Sequence, residues 1–188
     1  MTGKTHAALG MASGVVATWA TGAEGVDVVW TMVVSTVAAL FPDIDEPSSK
    51  INQVLFGSFP RKVRPLTLSL VAMALVIGVF IWEGPLWLTL FSLFLVGVSF
   101  ASHRGMTHSL FALAFMTGVA YLAFPDYVWA VSLGYGSHLI ADAMTIQGIP
   151  LWWPSKRPLG LRLLGIRIRT GQGLDRFTGW SGLVWLFA

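Results

Sequence analysis

LTLSLVAMALVIGVFIW at residues 66–82, EGP at 83–85 and LWLTLFSLFLVGVSFA at 86–101 form the stretch that decides the fold. Two uncharged apolar runs joined by a short turn of acid, glycine and proline read as a hairpin of membrane helices. Similar runs occupy residues 7–20, 26–41, 110–124 and 127–143, and a shorter seventh spans 177–188. Each is a little below the roughly 20 residues that cross a bilayer. Interfacial residues extend them, or the surrounding bilayer is thinned.

The whole chain agrees with this reading. Of its 188 residues 55% are hydrophobic and only 11% charged, where a soluble domain carries about 25% charged residues. Mean hydropathy is +0.70. The expected fold is all-α: a polytopic transmembrane helical bundle of about six to seven membrane helices, in a single membrane-embedded domain over residues 1–188. Lys4 before the first apolar run is also the start of a signal-peptide pattern. The next segments are equally apolar, however, and cleavage would remove His6. The small residues of Gly10-Met11-Ala12-Ser13-Gly14 permit a close helix contact.

Counting crossings sorts the polar residues. If His6 opens the first helix on one side, Asp43 and Asp45 end the second on that side. His103 and His108 then lie between the fourth and fifth helices, and His138 and Asp142 in the last turns of the sixth, again on that side. The long loops at 42–65 and 144–176 lie there too, and with them every Lys and Arg of the chain. The opposite loops carry only Glu24, Asp27, Glu83 and Asp126. The positive-inside rule makes the basic side cytoplasmic. The expectation is a multi-pass protein of the inner (cytoplasmic) membrane, with its amino terminus and its polar cluster facing the cytoplasm.

That cluster is the candidate site. The chain contains no cysteine, so disulfides and thiolate zinc sites are excluded. A metal would be held by His, carboxylate, backbone oxygen or water, which suits zinc, manganese, iron or magnesium. His138 and Asp142 stand four apart on one helix face and can reach one metal or two adjacent ones; the bland alternative is a buried Asp–His pair closing a helix contact. Asp43 and Asp45, between Pro42 and Pro47, point the same way in an extended stretch, and close carboxylates repel unless a cation lies between them. Helix capping by Asp45 or Ser48 is the alternative there.

His103 and His108 flank Arg104-Gly105-Met106-Thr107. A five-residue spacing puts them on different faces of a straight helix, but Gly105 allows a break and Thr107 can cap the next helix. Arg104 can pair with an anionic group such as phosphate, or it snorkels to headgroups. His6 joins the set by its side of the membrane alone. Glu46 is a ligand, an outer base or a solvated loop acid. Lys156 and Arg157, beside Trp152 and Trp153, combine cations with aromatic anchors and suit anionic headgroups, or they serve topology only. The alternation around Arg167 and Arg169 predicts a strand or an amphipathic surface segment. Nucleic acid is the less expected partner, because these charges sit among membrane anchors and no binding module is evident.

Four fragments together resemble the YdjM-like family of inner-membrane metal-dependent hydrolases. They are Leu40-Phe41-Pro42-Asp43-Ile44-Asp45-Glu46-Pro47, His103-Arg104-Gly105-Met106-Thr107-His108-Ser109, Gly134-Tyr135-Gly136-Ser137-His138-Leu139-Ile140-Ala141-Asp142 and Gly148-Ile149-Pro150-Leu151-Trp152-Trp153-Pro154. The resemblance implies metal-dependent hydrolysis, names no substrate, and for some bacterial members carries an association with LexA control. Asp175 looks like the acidic position the family often has there. The His-x-x-x-Asp spacing with further His and Asp ligands is also similar to zinc-dependent phospholipase C enzymes, by ligand pattern only.

These readings converge on a membrane-bound hydrolase that cleaves a phosphoester of a lipid or lipid-linked substrate. His6, Asp43, Asp45, His103, His108, His138 and Asp142 are the expected ligands of one or two divalent ions, zinc first, with manganese or magnesium as alternatives. Asp45 or Glu46 is the expected base, and Arg104 the stabiliser of developing negative charge. Arg104, Lys156 and Arg157 are the expected contacts to an anionic or phosphate-bearing membrane lipid. A metal-ion sensor or transporter, or a non-catalytic scaffold, is the alternative. A transporter would hold its ligands near the midplane, whereas these gather at one end.

Overall fold

The structure, a computed structural model, describes residues 1–100 and 105–160. Among the described residues it is all-helical, with seven α-helices and no strand; Ile149 and Leu159 form one isolated antiparallel bridge. In chain order the helices are α1 (Gly3–Thr21), α2 (Val26–Leu40), α3 (Lys50–Phe56), α4 (Arg64–Ile81), α5 (Leu86–Phe100), α6 (Leu110–Ala123) and α7 (Val128–Ala143). Two stretches, Val26–Asp45 and Arg64–Ile81, are long and apolar enough to cross a membrane; Leu86–Phe100 and Leu110–Ala123 are shorter apolar helices. The expected run at 177–188 and the expected strand or surface segment around Arg167 and Arg169 lie outside the described residues.

The helices place their largest apolar side chains outward. Trp19, Leu70, Ile77, Phe80, Leu86 and Phe100 are all exposed, an excess of apolar surface that water does not tolerate and lipid does. The interior has two parts. One is built on Leu68, Phe94, Leu95, Val98, Tyr135 and Leu139. The other is a three-helix knot of α1, α2 and α7 with almost no large side chains in it. In the knot Gly10 and Gly14 of α1 lie on α2: a methyl on Gly10 would come 2.9 Å from Thr36 Cα, and one on Gly14 2.7 Å from Met32 Cα. The small-residue motif is therefore the contact surface itself. Ser35 Oγ donates to the Gly10 carbonyl at 2.7 Å from this seam, and on its far side Gly134 of α7 packs against the Ser35 backbone. Backbones brought this close gain dispersion contacts that lipid cannot match.

The segment after α2 is a five-residue 3-10 turn, Phe41–Asp45, rather than a plain loop, and Ser49 caps the unexpected short helix α3. Capping by Asp45 or Ser48 is thus not what the chain uses. Two side chains hold the turn in place. Asn52 Nδ2 donates to the Ile44 carbonyl at 2.9 Å. Arg64, buried at the start of α4, donates from Nη1 to the Pro47 carbonyl at 2.6 Å and from Nε to Phe59 O at 3.1 Å. A cation expected only to mark sidedness also anchors this loop. Ahead of α6 the cap is Ser109, whose Oγ accepts from Ala112 N–H at 3.2 Å; Thr107 has another task.

The different surroundings of two glycines predict opposite effects. Gly134→Val overpacks the α2–α7 contact and lowers stability by about 1–3 kcal/mol. Gly118→Ala, on α6 with nothing within 4 Å of the added methyl, gains up to ~1 kcal/mol of helix propensity. Thermal unfolding of the two variants in detergent measures both signs.

Candidate metal centre

Five of the expected ligands meet in space. His6 comes from the first turns of α1, Asp43 from the 3-10 turn after α2, His108 from the turn before α6, and His138 and Asp142 from the end of α7. Two overlapping groups of donors lie close enough to hold an ion, His6–His138–Asp142 and Asp43–His108–His138. His6, His108, His138 and Asp142 are buried, and Asp43 is the most open of the five, with its side chain 18% exposed.

Hydrogen bonds fix which ring nitrogens face inward. His138 Nδ1 lies 2.7 Å from the Ala39 carbonyl; an acceptor there requires a proton on Nδ1. His108 Nδ1 lies 2.9 Å from Thr107 Oγ1, and that hydroxyl donates to Asp45 Oδ2 at 3.0 Å. Having spent its proton on Asp45, the hydroxyl accepts from His108 Nδ1–H. In its neutral form each ring then turns its Nε2 lone pair inward, and the two Nε2 atoms are 3.2 Å apart. Either a proton on one ring or a cation between the two relieves the repulsion of lone pairs at that distance.

Carboxylates surround the same point. Asp43 Oδ1 is 3.5 Å from His108 Nε2 and 3.7 Å from His138 Nε2, and Asp142 Oδ2 is 3.8 Å and 3.9 Å from the same atoms. A tetrahedron with metal bonds of about 2.0–2.1 Å has donors about 3.3–3.4 Å apart. The edges of the Asp43–His108–His138 group, 3.2, 3.5 and 3.7 Å, are near that size, and Asp142 belongs to the neighbouring group with His6 and His138.

His6 closes the other flank. Its ring stacks on His138, with centroids 3.7 Å apart and planes 16° apart. Its Nε2 is 3.3 Å from Asp142 Oδ1, an oxygen that also contacts the Met1 amino group. His6 Nδ1 is buried without a hydrogen-bond partner, and the Asp142 contact is the one polar neighbour of its Nε2 among the described residues. A buried polar atom left without one is costly, and a metal ion is one group that repays it. The residues present thus fit a divalent cation.

Of the remaining expected residues, those within the described chain stand apart from the two donor groups. Asp45 reaches the cluster through Thr107 and is not in either donor group. Glu46 Oε1 accepts from Ser48 N–H at 3.0 Å and from Ser48 Oγ at 2.6 Å, as a turn contact. Lys156 and Arg157 are exposed in a segment tied to the start of α6, where Leu110 N–H donates to the Leu151 carbonyl at 3.0 Å and Phe111 packs on Trp153. His103 and Arg104 lie outside the described residues. Sequence reading missed Thr107 as the link from Asp45 to His108, and Tyr135, whose hydroxyl donates to the Thr107 carbonyl at 2.6 Å. Only the company of Thr107, beside a histidine in a ligand-rich fragment, hinted at its task.

With the centre built from these fragments, comparison with known proteins becomes specific. The family model described as "YdjM inner membrane protein" matches residues 1–187. The chain belongs to that family. Inner membrane protein YdjM of Escherichia coli (strain K12) is 37% identical over 90 residues, covering 44% of this chain and 45% of that protein. The Shigella flexneri YdjM protein matches to the same extent. The match thus spans a little under half the length of these relatives. YvsG of Bacillus subtilis (strain 168) is 32% identical over 157 residues, covering 82% of this chain and 74% of that protein. No solved structure matches. Membership supports a location in the inner membrane.

The Asp45–Thr107–His108 chain predicts a graded pair. Thr107→Val deletes the acceptor for His108 Nδ1–H and lowers metal affinity about 10–100-fold, the usual cost of losing such an orienting partner. Thr107→Ser keeps it. Competition against a chelating dye gives both affinities, and equal binding by wild type and Thr107→Val would rule the relay out.

Proposed function

We propose that this chain is a membrane-bound, metal-dependent hydrolase acting on a phosphoester of a lipid or lipid-linked substrate at the cytoplasmic face. The observation that carries the proposal is the pair of facing Nε2 atoms of His108 and His138, flanked by Asp43 and Asp142. A divalent ion, zinc by preference for this nitrogen and oxygen set, would polarise a phosphoryl oxygen and acidify a water molecule.

The chain's own residues supply the rest. The Ala39 carbonyl and the Thr107–Asp45 link hold the two imidazoles in one tautomer and one orientation. Asp43, the most open donor, marks the side from which substrate approaches. In the reaction the water oxygen bonds to phosphorus and the ester P–O bond breaks. A carboxylate takes the water's proton and the departing alkoxide receives one. Asp45 adjoins the donor set without belonging to it and is our choice for that proton transfer. Arg104, four residues before His108, is our choice for the charge developing on phosphate, and Lys156 and Arg157 for holding an anionic headgroup at the rim. The basic residues at this end of the chain support the cytoplasmic orientation.

The test joins metal content to turnover. Detergent-purified protein should carry about one or two equivalents of metal and hydrolyse a fluorescent phosphatidic acid, with chelation abolishing turnover and metal restoring it. The double variant His138→Ala/Asp142→Ala, folded by gel filtration, should lose both. Metal-free protein or a double variant that turns over the substrate at the wild-type rate would remove the hydrolase reading.

A further inference from the structure

Beside the metal centre the bundle is not closed. A groove of about 430 Å³ runs between α2, α5, α6 and α7. Its lining exposes only apolar surface. The floor is made of small residues, Ala38 and Ala120, both largely buried. The walls are large: Trp30 and Phe41 on α2 and its following turn, Trp87 and Phe91 on α5. Small residues beneath and aromatic residues to either side make a channel rather than the ordinary corrugation of a membrane helix.

We infer that this groove holds one acyl chain of the lipid whose phosphate group lies at the metal centre. The inference rests on the phosphoester reading above and adds where the substrate is gripped: by one long apolar chain along this groove, not by its headgroup alone.

Three observations specify the occupant. The first is continuity. Phe41 lines the groove and stands two residues before Asp43, the donor most open to the outside. Tyr135 lines it too and sits one turn before His138, with its hydroxyl turned to the Thr107 carbonyl at the site. One end of the groove therefore lies on the same elements that carry Asp43 and His138. The second is length. From Trp30 to Phe41 the helical rise is about 16 Å, close to one leaflet of a hydrocarbon core about 30 Å thick. A chain anchored by its headgroup at the site would extend along the groove to the depth at which one leaflet ends. The third is chemistry. A wholly apolar lining offers nothing to a sugar, a peptide or a nucleotide, whereas an acyl chain passes from bilayer to groove with no polar group to desolvate and, once seated, orients the ester bond at the ion without any polar contact.

The competing occupants are the chain's own apolar segment at 177–188 and a second copy of the protein, and the same experiment separates them. A photo-crosslinking amino acid is placed at Val37, which lines the groove. A matched probe is placed at Ile77, on the exposed face of α4 and outside the groove. The full-length protein is reconstituted in phosphatidylcholine vesicles holding a minor fraction of a non-hydrolysable phosphonate analogue of phosphatidic acid. The Val37 probe should yield lipid adducts enriched in the phosphonate at least about threefold over its share of the bilayer, a preference of about 0.7 kcal/mol; the Ile77 probe should report the bulk composition. Ala120→Trp, which fills the floor, should abolish the enrichment, and Ala38→Leu should reduce it. Adducts to residues 177–188 or to a second copy, or equal lipid composition at the two probes, would overturn the inference. Crosslinking needs no turnover, so a catalytically silent protein with an enriched Val37 adduct would fail the hydrolase reading alone.

Discussion

Two imidazole nitrogens 3.2 Å apart, each with its proton on the far side of the ring, are the constraint on which the rest of the structure turns. Left alone, His108 and His138 would rotate away or take up a proton. The fold prevents the first: the Ala39 carbonyl clamps one ring, and Thr107, itself bound to Asp45, clamps the other. Asp43, Asp142 and His6 then add oxygen and nitrogen donors at distances that a divalent ion spans. The two facing Nε2 atoms can share only one proton between them, and His6 Nδ1 is buried with no partner, so the cluster is left short of positive charge and donors that a divalent ion supplies.

The scaffold can be understood as the means of bringing four helix ends to that point. α1, α2 and α7 touch through Gly10, Gly14, Ser35 and Gly134, and only such small residues let three backbones converge closely enough for His6, the Ala39 carbonyl and His138 to meet. The helices are short for a membrane. α6, with 14 residues, rises about 21 Å against a hydrocarbon core of about 30 Å. Polar turns follow where longer helices would continue, which places the site at the end of the bundle.

Much of this was legible in the sequence, and for a definite reason. Alternating apolar runs fix the parity of helix ends, so Asp43, His108, His138 and Asp142 had to gather at one end once the runs were accepted as helices. Gly10 and Gly14 announced a close contact by spacing alone. What remained hidden depends on contacts between distant segments. Arg64 reads as one more basic residue of a loop, and nothing local shows that it reaches back to the Pro47 carbonyl. Thr107 reads as a helix cap; its real partners are the neighbouring ring and an aspartate 62 residues earlier. The capping roles at Ser49 and Ser109 were misassigned by a few residues because several serines, threonines and aspartates compete at each helix start.

The central claim is that a divalent ion occupies the space between the imidazoles and carboxylates. X-ray absorption spectroscopy of the zinc-loaded protein tests it most directly. The account predicts nitrogen and oxygen donors alone at about 2.0–2.1 Å, with the outer-shell scattering of at least two imidazoles. Protein that binds no stoichiometric metal after reconstitution, or a metal surrounded by oxygen with no imidazole scattering, would contradict it.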